Sequence, residues 1–290
     1  MSTPDPVLKE GPTLINSVLC STDFTEDSEA AFTHALAIAL AGGASLEVLH
    51  AEPDNVQCSE RHFPNFVKKL VAWGVVTPDS KPDVLRQLGM NLRSVLRVGD
   101  PPAQTILDEL RGTAAQLLVM ATHARAGVDR LVQPSVTEPV VRRSPVPTLV
   151  IPPHARGFVD GDTGQVSLRR ILIPINHRPS PQSAVDAATR LATVLGCDDA
   201  WICTLYVGEP DQMPKVHFAA PTAPFVRQWA QDGAVVEGIL GTAAEWAADL
   251  VVMATEEHFG VMNLLRGSTV ERVLRQAPCP ILVVPTGVAA

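Results

Sequence analysis

Residues 267–285 read GSTVERVLRQAPCPILVVP, and residues 134–152 read PSVTEPVVRRSPVPTLVIP. The two stretches align without a gap. Pro145 and Pro147 answer Pro278 and Pro280, Arg142 answers Arg275, and Glu138 answers Glu271. The correspondence runs upstream at the same spacing, where LLVMATHARAGVDRL (117–131) matches LVVMATEEHFGVMNL (250–264). Further back, SVLCSTDFT (17–25) pairs with RILIPINHR (170–178), and LEVLHAEPD (46–54) with ICTLYVGEPD (202–211). Each half carries the same ordered set of segments. The unit is far longer than a solenoid repeat, so the pattern reads as a tandem domain duplication.

Within one half, apolar runs alternate with helical patterns. Strands are predicted at 17–22, 46–51, 92–98, 117–121 and 148–151. SEAAFTHALAIALAGG has the apolar spacing of a helix, with Gly42 and Gly43 as its stop. Phe63, Phe66, Val67, Leu70 and Val71 mark an amphipathic helix over 62–75, and further helices fit 102–112 and 135–143. Strands alternating with helices imply parallel βαβ units, so the fold class is α/β with two tandem doubly wound parallel-sheet domains. The expected domains span 15–153 and 168–288. PHARGFVDGDTGQVS (153–167) lacks periodicity and reads as the linker. The second half is shorter, because the Pro-rich MPKVHFAAPTAPFVRQW stands where the first half has its amphipathic helix. An irregular or extended segment is expected there.

Bulk composition agrees. The 290 residues suit two domains. Hydrophobic residues make up 46% but aromatics only 4%, so the core is built of Ala, Val, Leu and Ile, as in a buried parallel sheet. A net charge of −8 weighs against nucleic acid and anionic membranes as partners. The polar N-terminus lacks the basic and apolar regions of a signal peptide, and no apolar run reaches spanning length. Five cysteines at scattered spacing do not form a disulfide framework, so a cytoplasmic location is expected.

Chemistry is sparsely marked. Cys58 and His62 have C-x3-H spacing, but no second pair completes the four ligands of a zinc site. Cys20, Cys203 and Cys279 read as buried packing residues. There is no GxSxG, Walker A, GxGxxG or HExxH motif, and no evident nucleophile or general base, so a non-enzyme is expected. Ser135-x-x-Glu138 and Ser268-x-x-Glu271 read as capping boxes. Such helix starts favour an anion, and ligands of open α/β sheets sit beyond the carboxyl ends of strands.

The strand-end Asp23 in VLCSTDFT, the two VMAT strand ends with their Gly-containing loops, and the closing GSTVERVLRQAPCPILVVP together resemble the universal stress protein family in its tandem form. That resemblance implies an open α/β sheet of about five parallel strands per domain, related to the adenine-nucleotide alpha hydrolase layers and Rossmann-like. It implies a stress-response function, with ATP or another adenine nucleotide, and accompanying Mg²⁺, as the ligand in those members that bind one. The implied nucleotide-binding positions are Asp23, Met120 and Ser135 in the first half, and Asn176, Val207, Met253, Gly267, Ser268 and Thr269 in the second. Family members use the last strand to dimerise. Here TLVIP and ILVVP are expected to pair within one chain as a pseudo-dimer, with a further homodimer as an open alternative.

The binding members of the family carry a loop of Gly, two residues, Gly, nine residues, Gly, then Ser or Thr. Both halves depart from it. The three Gly positions hold Ala121, Ala124 and Pro134 in the first half, and Ala254, Glu257 and Gly267 in the second. Pro134 removes an N–H that would hold a phosphate, and Glu257 repels one. The strand-end Asp23 becomes Asn176 in the second half. Asp23 is either an adenosine contact or a helix cap, and His123 and Arg125 are either anion contacts or a solvated loop. The alternatives to a nucleotide sensor are a scaffold acting through protein contacts and a phosphate-transferring enzyme; fold does not decide between them.

Overall fold

Five strands in each half lie side by side in a computed structural model, which describes residues 15–53, 63–80, 84–99, 101–122, 135–153, 155–218, 225–256 and 268–286. The first half comprises β1 (Ser17–Ser21), α1 (Glu26–Gly42), β2 (Ser45–Glu52), α2 (Phe66–Ala72), α3 (Val84–Gln87), β3 (Leu92–Val98), α4 (Pro102–Gly112), β4 (Leu117–Ala121), α5 (Thr137–Arg143) and β5 (Thr148–Ile151). The second comprises β6 (Arg170–Pro174), α6 (Gln182–Val194), β7 (Trp201–Val207), β8 (Val226–Gln231), α7 (Val235–Glu245), β9 (Leu250–Glu256), α8 (Thr269–Leu274) and β10 (Ile281–Thr286).

All ten strands form one sheet in the order β3-β2-β1-β4-β5-β10-β9-β6-β7-β8. Each half is parallel throughout, and the halves meet where β5 and β10 pair antiparallel, with Leu149 opposite Leu282. The strand order of one half is the reverse of the other, so the duplication is folded about the β5–β10 seam. Because the seam is antiparallel, the carboxyl ends of the two sets of strands point in opposite directions.

Two apolar layers cover the sheet, and each contains residues of both halves. On one face α1, α2 and α6 bury Phe32, Leu36, Leu70, Ala188 and Leu191. On the other, α4, α5, α7 and α8 bury Leu107, Val140, Ile239 and Val273. Local chemistry sets the helix limits. Thr25 caps α1 by accepting from the Ser28 N–H at 3.4 Å, Glu26, Asp27 and Glu29 complement the first turn, and Gly43 closes the helix at φ 60°. The amphipathic helix begins later than its periodicity suggests, because the Asn65 side chain accepts from the Lys68 N–H at 2.9 Å. It ends at Trp73, before Gly74 at φ 70°.

The linker is not featureless. Residues Val159 and Val166 bridge antiparallel, and Asp160 Oδ1 closes the turn by accepting from the Asp162 and Thr163 N–H groups and the Thr163 hydroxyl. Phe158 is fully buried. Its N–H donates to Nε2 of His34 at 3.1 Å, while His34 Nδ1 donates to the Ala30 carbonyl at 2.7 Å. Trp73 Nε1 donates to the Gly161 carbonyl at 3.1 Å. The linker is thus a hairpin fastened over α1 and α2, held by side chains remote in sequence that periodicity does not register.

The Pro-rich segment of the second half has no helix among its described residues. A 3₁₀ turn over Pro210–Gln212 leads into extended chain, where Gln182 of α6 bonds both the N–H and the carbonyl of His217.

Candidate functional site

In the second half, chain order reverses between β6 and β9, and a cavity of about 790 Å³ opens beyond their carboxyl ends. Its apolar wall is Leu205 and Val207 of β7, Met253 of β9, and Val235 and Ile239 of α7. Polar groups come from Asn176 after β6, Thr255 near the end of β9, and Ser268 and Thr269 at the start of α8. The remaining wall is supplied by α5 of the first half, with Glu138, Arg142 and Arg143. This last contribution follows from the seam. The last turn of α5 lies at the same end of the molecule as the carboxyl ends of the second-half strands.

Asn176, Val207, Met253, Ser268 and Thr269 all line this one cavity. Asn176 Oδ1 accepts from the His177 N–H at 2.8 Å, which leaves its amide N–H groups as donors. Ser268 is the N-cap of α8, accepting from the Glu271 N–H at 3.2 Å. Gly267 and Glu257 lie outside the described residues. So do His123, Arg125, Pro134, Cys58 and His62.

The first-half positions are differently engaged. Asp23 Oδ1 accepts from the Thr25 N–H at 3.1 Å and the Thr25 hydroxyl at 2.6 Å. Asp23 supports the cap of α1 from two residues upstream while Thr25 itself is the cap. Met120 is buried in the β4 layer. Ser135 accepts from the Glu138 N–H at 3.4 Å, a long contact. The reciprocal arm of the expected capping box is absent from Glu138 Oε1, which instead accepts from Arg275 across the seam. Thr137 anchors the start of α5 through its hydroxyl, which donates to the Ala121 carbonyl at 3.1 Å.

The described cysteines do not offer a nucleophile. Burial pushes the Cys20 and Cys279 thiols up to about 12 and that of Cys203 up to about 11, so each stays protonated at neutral pH. Among the described residues no cluster of three His, Cys, Asp or Glu side chains is arranged to hold a metal, and no helix is long and apolar enough to cross a membrane.

A model of the universal stress protein family matches residues 15–152 and 218–285. The chain belongs to the universal stress protein family. Solved structures agree on the fold. A universal stress protein from Archaeoglobus fulgidus DSM 4304 is 18% identical, with 94% of this chain and 97% of that chain covered at a TM-score of 0.66. A functionally unknown protein from Pseudomonas aeruginosa PAO1 is 17% identical, with 93% and 92% covered at a TM-score of 0.59. At these identities the likeness is one of fold. No curated protein matches the chain in sequence.

In this universal stress protein the sequence reading missed the wall formed by α5, together with Arg178 and the α7 residues. The repeat did hold a signal for Arg142, which sits at the position of Arg275. What it lacked was the orientation of the seam, which brings α5 to the second-half cavity.

Proposed function

We propose that this universal stress protein binds an adenine nucleotide in the second-half cavity and acts as a cytoplasmic sensor or regulator rather than an enzyme. The observation that carries the reading is the convergence of Asn176, Val207, Met253, Ser268 and Thr269 on one cavity at the switch point of the sheet. Its volume lies within the range of roughly 300–1,000 Å³ usual for small-molecule sites. The adenine ring lies against Val207, Leu205 and Met253, the ribose faces the amide of Asn176, and the phosphates extend towards Ser268 and Thr269. ATP would bring Mg²⁺ as its counter-ion. Ligand held here contacts both halves, and it shifts whichever conformation it binds better.

A second reading, a scaffold that works through protein contacts, is favoured by the carboxylate of Glu256 in the cavity wall and by Ala254 in place of the first loop glycine. Calorimetric titration of nucleotide-stripped protein with ATP and Mg²⁺ separates the two. The sensor reading expects micromolar binding that is lost in Val207→Trp and in Gly267→Asp, and kept in Ala51→Trp at the matching strand position of the first half. No heat at millimolar nucleotide, with a protein partner still recovered by the same sample, supports the scaffold. Steady release of phosphate from ATP would instead point to an enzyme.

A further inference from the structure

The repeat places Arg142 and Arg275 at the same position, but their surroundings differ. Arg275, at the end of α8, is held by Glu138 of α5, with Nε to Oε1 at 2.7 Å and Nη2 to the same oxygen at 2.6 Å. Two-fold symmetry about the seam would give Arg142 the same contact with Glu271. It does not form. Among the described residues Arg142 makes no hydrogen bond or ion pair, although it lines the cavity together with Glu271. Arg178, on the loop after β6, lines the same cavity and is likewise without a partner among the described residues. Arg143 differs, because its guanidinium donates to the Pro139 carbonyl and to Gln104 Oε1.

We propose that Arg142, a first-half residue, holds the anionic group of the ligand bound in the second-half cavity, with Arg178 as the second cation. This rests on the nucleotide reading above. A free guanidinium offers a planar fork of donors that matches a phosphate in two bonds. Glu138 belongs to Arg275, so Arg142 has no competitor on its own helix. With Glu138 paired to Arg275, the described lining carries three arginines against two remaining glutamates, a surplus of one positive charge, too little for the several negative charges of a triphosphate. One phosphate held by one or two arginines is the better match, and the preferred ligand is a nucleoside monophosphate. Binding then ties α5 of one half to β6 and β9 of the other.

The test titrates the full nucleotide-stripped chain with adenosine, AMP and ATP, as wild type, Arg142→Ala and, as a control on α6 away from the cavity lining, Arg190→Ala. Because Arg142 has no partner among the described residues, Arg142→Ala should melt with the wild type. The expected result is AMP affinity reduced roughly tenfold or more in Arg142→Ala, as for loss of a charge-assisted hydrogen bond, with adenosine affinity unchanged and Arg190→Ala near wild type. AMP binding unaffected by Arg142→Ala overturns the role of Arg142 and leaves the nucleotide reading in place. Equal loss of adenosine and AMP overturns it too, since the residue then shapes the cavity. No binding of any of the three to wild type overturns both.

Discussion

Arg275 of α8 donates through Nε to Glu138 of α5 at 2.7 Å, so the two copies of the repeated passage grip one another across the β5–β10 seam. Both side chains are partly exposed, at 41% for Arg275 and 29% for Glu138. A solvated pair of this kind contributes about 0.2–1 kcal/mol. A double-mutant cycle with Glu138→Gln and Arg275→Gln should give a coupling in that range that shrinks in 1 M salt. A coupling of several kcal/mol would mean that the pair, and not the apolar seam, holds the halves together.

The seam itself should carry far more. Leu149 and Leu282 face one another in register and are almost wholly buried. Leu282→Ala should lower unfolding stability by about 2–5 kcal/mol in urea titration, as for other fully buried leucines. A loss under about 1 kcal/mol would show that this contact is not part of the core.

Most of the fold is legible in the sequence because most of its strands are short apolar runs bounded by polar turns, the exceptions being the mixed edge strands β3 (LRSVLRV) and β8 (VRQWAQ). The runs 92–98, 117–121 and 148–151 are strands over those same residues, and 102–112 is a helix. The duplication follows from the matched spacing of Arg142 and Arg275. What the sequence does not carry is contact between distant segments. Nothing local tells that Gly157 lies on the ring of His34, that Trp73 reaches Gly161, or that α5 walls a cavity of the other half. The site was half legible for the same reason. Asn176, Val207, Ser268 and Thr269 stand at or just beyond element ends and Met253 lies within the apolar run of β9, whereas Arg142 matters through the direction of the seam.

The linker hairpin makes a prediction about glycine. A Cβ on Gly164, which sits at φ +71°, would collide with the Trp73 ring, whereas one on Gly161 meets nothing within 4 Å. Gly164→Ala should cost about 1–3 kcal/mol, combining overpacking with a left-handed backbone. Gly161→Ala should be near neutral by the same thermal unfolding measurement. Equal effects would show that the hairpin does not rest on α2.

His34 makes the same hairpin sensitive to acid. Burial is the main cause that lowers its pKa from an ordinary 6.5 to about 4. The unfolded chain therefore takes up the proton first as pH falls. The neutral imidazole contributes its full stability above pH 6.5 and loses it as pH falls towards 4. At about 1.4 kcal/mol per unit the loss is about 3 kcal/mol in all. The stability gap between wild type and His34→Gln should move by about 2 kcal/mol or more between pH 7 and pH 4.5. Parallel curves would contradict the buried neutral assignment.

Cys20, Cys197, Cys203 and Cys279 are all buried, and burial raises the pKa of each. Mass spectrometry after brief alkylation at pH 8 should find these four unmodified in folded protein and labelled in urea. Rapid labelling of any of them in folded protein would place that thiol in solvent.

We propose that the second half, not the first, holds the nucleotide. Photolabelling of the full chain with 2-azido-AMP, followed by peptide mapping, tests it most directly. Saturable label, displaced by excess AMP, is expected on peptides carrying Asn176, Val207 or Met253. Label on peptides carrying Asp23 or Met120, or none that excess AMP displaces, would contradict it.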